Sequence, residues 1–165
     1  MRSLLSRVMG SEEPLVQDVV PPLPSRRSAM AVVPLGSVDD RARTALSTAW
    51  SMISASRLVA VHVSEGAESA REFTRRWELW EPGVPLVMLS PLPVDGDPVA
   101  ASIADYLTRR HTAHQTVVVI TEDCAQSPTG VNQAGPTRSD TLEAALLPLP
   151  HVVVCRQRPA RGMRH

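Results

Sequence analysis

The sequence predicts an α/β protein built on one parallel sheet, and three observations support this fold class. Five short runs of apolar, mostly β-branched residues are spread along the chain, and four amphipathic stretches with helical spacing lie between them. Each short run is apolar almost throughout, as in parallel strands that helices cover on both faces. We therefore expect a three-layer, doubly wound sheet of five parallel strands in the order 3-2-1-4-5.

The strand predictions come from composition and spacing. Val, Ile and Leu dominate each run, and β-branched residues pack well on a pleated surface. The intervening lengths of chain suit helical crossovers between parallel strands. The predicted strands cover residues 30–35, 58–63, 85–89, 117–120 and 152–155.

The helix predictions come from apolar stripes and from capping signals. The second helix aligns Phe73 and Trp77 on one stripe, which should pack against the sheet. Before the first helix, residues 37–40 have the character of a capping box. The third begins at Asp97-Pro98, an N-cap followed by proline at the first helical position. The four helices are expected at about residues 42–53, 70–80, 97–107 and 138–147.

The composition excludes several function classes. All 17 basic residues are arginine, and 17 acidic residues balance them. This balance argues against a general nucleic-acid binder, and the lack of lysine excludes mechanisms that need a catalytic or phosphate-binding lysine. No apolar run approaches the roughly 18 residues that span a bilayer, and Ser6 and Arg7 interrupt the apolar residues of the N-terminus. We expect a cytoplasmic chain without a membrane span, either free or associated with the membrane through a partner. Cys124 and Cys155 are expected to stay reduced.

Two terminal segments differ from the predicted domain, which covers residues 29–157. Residues 1–28 are rich in proline and are expected to be flexible, with residues 10–28 as an extended linker. Residues 1–9 are either a frayed terminus or a short amphipathic helix that docks on a membrane surface or a partner. Residues 158–165 form a basic tail, either solvated or bound to an anionic partner.

Topology predicts where a ligand would bind. In a doubly wound sheet the ligand crevice lies beyond the carboxyl ends of the strands, where the strand order reverses. With the order 3-2-1-4-5 this is the space between the first and fourth strands. Its predicted walls are residues 34–37 on one side and residues 121–123 on the other.

The loop before the fourth helix is the most suggestive segment for phosphate binding. From Gly130 through Gly135 to Thr137 it reads GVNQAGPT, which imitates the phosphate-binding pattern GxxxxGK[ST]. Pro136 stands in the place of the lysine and removes both a charge and an amide donor. The segment is either a phosphate-binding loop of another kind or a connector without a ligand.

No catalytic or metal-binding constellation stands out. His111 and His114 are three residues apart, but no carboxylate or cysteine at ligand spacing completes a metal site. His62 lies within the second predicted strand, where a packed histidine is the simpler interpretation. A G-x-S-x-G elbow is absent from the sequence. We expect no metal, no cofactor and no enzymatic activity.

Several motifs resemble the cytosolic C-terminal domain of actinobacterial amino-acid permeases of the amino acid–polyamine–organocation superfamily, which is itself similar to universal stress proteins. The most specific motif is W-x-x-W-x-PGVPL, from Trp77 to Leu86. The resemblance covers about residues 29–156. Its other motifs are Val32-Val33-Pro34 with Gly36, Ala60-Val61-His62-Val63, Ser90-Pro91, Ala144-Ala145-Leu146-Leu147 and Val152-Val153-Val154.

The resemblance implies a universal stress protein-like fold of the adenine nucleotide alpha hydrolase-like class and a homodimer. It also implies a regulatory module that senses ATP, AMP or cyclic di-AMP and acts with or near an amino-acid transporter. The alternative is a degenerate interaction or dimerisation domain without a nucleotide, because residues 92–94 and 136–138 replace polar groups of those domains. The implied nucleotide-binding residues are Val33, Pro34, Gly36 and Ser37 at the first-strand loop, and His62 and Val63 at the end of the second strand.

Overall fold

Strands and helices alternate along the chain as the sequence predicts. The computed structural model describes residues 28–110, 115–121 and 136–157. The strands are β1 (Ala29–Pro34), β2 (Leu58–Val63), β3 (Leu86–Leu89), β4 (Gln115–Thr121) and β5 (Val152–Gln157). The helices are α1 (Asp40–Met52), α2 (Ala67–Trp80), α3 (Pro98–Arg110) and α4 (Arg138–Leu146). A short 3-10 helix, Ala55–Arg57, precedes β2.

The five strands form one parallel sheet in the order β3-β2-β1-β4-β5, which confirms the predicted fold class and strand order. Helices cover both faces of the sheet. One core cluster includes residues of α1 and α2, and the other includes residues of α3 and α4. Along β1, Val33 belongs to the first cluster and Val32 to the second, as the alternation of side chains in a strand requires. Because α1 to α4 each follow a strand of the parallel sheet, these helices begin near its carboxyl edge.

The aromatic stripe of α2 is buried, which confirms the prediction for this helix. Phe73 is 6% exposed and Trp77 is 7% exposed. Their ring centroids are 6.2 Å apart, and Trp80 meets Trp77 edge-on at 5.5 Å. Phe73 and Trp77 belong to the same core cluster as the buried alanine and leucine residues of α1.

The start of α3 is capped as predicted. A carboxylate oxygen of Asp97 accepts hydrogen bonds from the amides of Val99 and Ala100, at 2.8 and 3.2 Å. Pro98 occupies the first helical position, where a missing amide donor has no cost. The start of α1 departs from the expected capping box, because Asp39 alone caps the amides of Arg41 and Ala42.

Asp97→Ala should lower the free energy of unfolding by about 1 kcal/mol, the usual effect of losing an N-cap side chain. Urea unfolding followed by circular dichroism measures this change. Asp95→Ala is a matched control, because Asp95 is an exposed residue of the same loop. Equal effects of the two substitutions would show that the Asp97 cap does not stabilise α3.

Two strands are longer than their apolar runs predict. β4 begins at Gln115, and β5 continues through Arg156 and Gln157. The guanidinium of Arg156 pairs with Asp140 at 2.7 Å, so a charged residue is tolerated within an edge strand. The side-chain amide of Gln157 donates to the hydroxyl of Thr48 at 2.9 Å. These contacts join residues far apart in the sequence, where local patterning carries no signal.

Several expectations lie outside the described residues. They concern the terminal segments 1–27 and 158–165, the pair His111 and His114, and Cys124, and they remain predictions. Cys155 is a free, half-buried cysteine. In the described ranges, the helices are too short or too polar to cross a membrane.

Candidate functional site at the carboxyl edge

A small pocket opens beyond the carboxyl ends of β1 and β2, where α3 and α4 begin. Its volume is about 80 Å³. The position agrees in part with the crevice predicted from the strand order. Residues 34–36 form one wall as predicted, but the second strand at the pocket is β2 and not β4. Thr121 does not line the pocket, and residues 122 and 123 lie outside the described residues. The residues that line it are Pro34, Leu35, Gly36, Val61, His62, Val63, Val99, Ala100, Ile103, Arg138 and Leu142.

The loop after β1 forms one rim of this pocket. The amide of Leu35 donates to the carbonyl of Val61 at 2.8 Å and holds the loop beside the end of β2. Gly36 follows and is exposed. A Cβ atom added to Gly36 would meet no atom within 4 Å, so this position has room for a ligand or for a larger side chain. The rim therefore combines a fixed backbone with open space.

His62 stands behind the rim at the end of β2. The ring is 6% exposed and lies parallel to Phe73, with 3.7 Å between the two ring centroids. Its Nδ1 atom lies 2.8 Å from the carbonyl oxygen of Leu35. Burial lowers the pKa of His62 below its ordinary value, and the hydrogen bond to Leu35 opposes this shift. The interpretation of His62 as a packed histidine agrees with this environment.

The start of α4 supplies the positive charge. Among the described residues that line the pocket, Arg138 alone is charged at neutral pH. The preceding residue, Thr137, caps α4 in a capping box with Asp140. The hydroxyl and the amide of Thr137, with Arg156, lower the pKa of Asp140 to about 2. Asp140 is therefore ionised at neutral pH and stays bound to the first turn of α4.

Carboxylates already occupy the starts of α1 and α3. Asp39 accepts two backbone amides of α1 and the hydroxyl of Ser37. Burial raises the pKa of Asp39, but these hydrogen bonds outweigh burial and hold that pKa below its usual value. The carboxylate of Asp97 likewise accepts hydrogen bonds from the first amides of α3. At the starts of α1 and α3, a phosphate would have to displace a carboxylate. The start of α4 offers Arg138, and α2 has Gly66 at its N-cap, without a side-chain cap.

The pocket collects four of the residues named from the sequence: Pro34, Gly36, His62 and Val63. Val33 instead is fully buried in the core cluster of α1. Ser37 and Thr137 belong to the caps of α1 and α4 and do not line the pocket. The named Gly130 and Gly135 are outside the described residues.

Sequence reasoning missed the helical side of the pocket. The periodicity of α3 predicts only a core stripe for Val99 and Ile103. Arg138 was noted only as one of residues 136–138, which replace polar groups of the permease domains. Leu35 belongs to the predicted wall 34–37, and the missed lining residues are Val61, Val99, Ala100, Ile103, Arg138 and Leu142. Their position in the chain could have indicated them, because the first turns of the crossover helices lie beside the carboxyl edge of a parallel sheet.

A comparison with protein families identifies the chain. Residues 26–158 match the family described as the KimA potassium transporter C-terminal domain. None of the curated proteins compared with the chain matches it. The family match confirms the expectation of a transporter-associated domain, and it names a potassium transporter where the sequence resemblance pointed to amino-acid permeases. Because the match covers most of the sequence, the chain belongs to the family of KimA potassium transporter C-terminal domains.

Proposed function

We propose that this domain is a non-enzymatic regulatory module that senses an adenine nucleotide on the cytoplasmic side of a potassium transporter. ATP, AMP and cyclic di-AMP are the candidate ligands. The observation that carries the proposal is the pocket beyond the carboxyl ends of β1 and β2, with Gly36 on one side and Arg138 on the other. The universal stress protein-like character of the domain is part of this proposal.

The pocket suits either the base or a phosphate of a nucleotide, but not the whole molecule. Val63 and Val99 are half-buried and offer an apolar surface to a base, and the guanidinium of Arg138 offers charge-assisted hydrogen bonds to a phosphate. The volume of about 80 Å³ is below the roughly 300–1,000 Å³ of pockets that enclose a drug-sized ligand. The described walls therefore hold a base or a phosphate, and the rest of the nucleotide lies over the open edge.

A second candidate is an interaction or dimerisation domain without a nucleotide. The capped starts of α1, α3 and α4 favour it, because their first-turn amides are already bound to Asp39, Asp97 and Thr137. A homodimer is part of this candidate. The edge strand β5 exposes Val153, and Met52 at the end of α1 is also exposed. Light scattering of the wild type and of Val153→Arg tests for a dimer at this edge.

A thermal-shift panel of ATP, AMP, cyclic AMP and cyclic di-AMP separates the two candidates. The nucleotide-sensing proposal requires that at least one of them raises the melting temperature in a concentration-dependent way. GTP at matched concentrations controls for general binding of phosphates. If no nucleotide acts at millimolar concentration, the interaction domain is the better account.

We expect no hydrolysis of ATP. The sequence has no lysine for the phosphates, and the described residues hold no cluster of three or more His, Cys, Asp or Glu side chains that suits a metal ion. Phosphate release is measured on the full chain with Mg²⁺ present, against a mock purification. Turnover that is lost in Arg138→Ala would contradict this expectation.

A further inference from the structure

His62 combines deep burial with an incomplete set of hydrogen bonds. A carbonyl oxygen only accepts hydrogen bonds, so Nδ1 must carry the proton in the 2.8 Å contact with Leu35. The neutral ring then has an unprotonated Nε2. This atom is buried, and the described residues offer it no hydrogen-bond partner. The neutral ring fits this site, whereas a second N–H at Nε2 would find no acceptor there.

The hydrogen bond from Nδ1 holds the backbone of the β1–α1 loop at Leu35. Leu35 donates its amide to Val61 and accepts the proton of His62 at its carbonyl, so two hydrogen bonds tie the residue after β1 to the end of β2. Gly36, the open rim of the pocket, follows directly. The backbone bond to Val61 resembles those of the sheet, whereas the bond to His62 depends on the state of one side chain.

We propose that His62 is an acid-sensitive latch, which holds the β1–α1 loop against β2 while its ring is neutral and releases the loop when the ring takes up a proton. The proton comes from solvent and binds Nε2. The resulting cation carries a charge and an unmatched donor in a buried site, so the ring must turn toward water. This movement breaks the Nδ1–H···O bond to Leu35.

Among the described residues, the groups around the ring offer no hydrogen-bond acceptor for a proton on Nε2. Phe73 of α2 contributes an aromatic face, and the strand on the other side, β3, presents apolar side chains. On the exposed surface of α2, Glu72 is already paired with Arg75 and Arg76. Asp39 of the loop is held by its own cap, and Arg138 of α4 would repel a second cation.

The pH range of the latch follows from the environment of the ring. Burial lowers the pKa of His62 from 6.5, and the bond to Leu35 opposes this shift. The unfolded chain therefore binds the proton more readily than the folded chain does. The stabilisation by the neutral ring is complete above pH 6.5 and is lost as the pH falls from 6.5 through the lowered pKa. The latch is closed at neutral pH and opens only as the pH falls below 6.5.

Nuclear magnetic resonance of the full chain tests the latch without any ligand. The ring signal of His62 and the amide signals of Gly36 and Ser37 are followed from about pH 7.5 to about pH 5. We expect one shared midpoint below 6.5. Loop signals that stay fixed while the ring titrates would overturn the proposal, as would a midpoint above 6.5.

Two variants isolate the ring from the other histidines. His62→Asn keeps a donor near the position of Nδ1 and cannot titrate, so its loop signals should match the closed state at every pH. His62→Phe keeps an aromatic ring beside Phe73 and removes the donor, so its loop signals should resemble the open state even at neutral pH. Loop signals that titrate equally in His62→Asn and in the wild type would contradict the latch.

A consequence for the ligand rests on the proposed function, whereas the latch itself does not. If the rim binds AMP, the affinity of the wild type for AMP should fall with pH by at most tenfold per unit below the midpoint. The affinity of His62→Asn should stay constant. A loop that moves without AMP binding excludes AMP as the ligand and leaves the latch in place. AMP binding with a fixed loop does the reverse.

Discussion

Trp77→Ala is expected to lower the free energy of unfolding by roughly 3–5 kcal/mol, several times the effect of losing a helix cap. Trp77 is 7% exposed and contacts two further aromatic rings, so its removal leaves a cavity that the sheet and α2 cannot fill by small movements. Denaturant unfolding, followed by circular dichroism, measures the loss.

Trp50→Ala is the matched control for this prediction. Trp50 belongs to α1 and is 41% exposed, so its truncation should have a much smaller effect. A cost near zero for Trp77→Ala would show that the aromatic stripe of α2 faces solvent and acts as an interface. Comparable losses in the free energy of unfolding for the two variants would indicate that burial does not determine how much each tryptophan stabilises the fold.

The nucleotide that binds is expected to stabilise the domain by about 2.7 kcal/mol at 100 times its dissociation constant, because a ligand that binds only the folded chain shifts the unfolding equilibrium. The same denaturant series, repeated with and without the nucleotide, measures this gain. Arg138→Ala should reduce the gain for a phosphorylated ligand and leave the response to adenosine unchanged, since Arg138 supplies the charge at the rim. An undiminished gain in Arg138→Ala would place the phosphate elsewhere.

The fold was predictable because its signals are local. The apolar runs of the buried strands and the stripes of the crossover helices repeat along the chain, and right-handed crossovers leave few arrangements of a parallel sheet. The caps at Asp39 and Asp97 are likewise short-range signals. The polar ends of β5 were not predictable, because Arg156 and Gln157 are held by α4 and α1, which are distant in sequence.

The candidate site was only partly predictable, both in place and in composition. Strand order predicted the wall at the end of β1, with Pro34 and Gly36, but it predicted β4 and not β2 as the second strand at the pocket. The resemblance alone pointed to Val33, but strand alternation turns that side chain into the core under α1. Ile103 and Leu142 belong to the opposite core cluster and also line the pocket. An apolar periodicity cannot distinguish a residue that packs in the core from one that lines the pocket, because both roles need apolar side chains on the same helix face.

Calorimetric titration of the wild type and of Gly36→Val, with the nucleotide that shifts the melting temperature, tests the central claim most directly. The account predicts at least tenfold weaker binding to Gly36→Val, about 1.4 kcal/mol or more, because the valine fills the open space at the rim. Gly66→Val is the matched control, since Gly66 precedes α2 at the same edge but does not line the pocket. Unchanged melting temperatures without ligand would show that both variants fold. Equal affinities of the wild type and Gly36→Val would contradict the account and place the ligand outside this pocket.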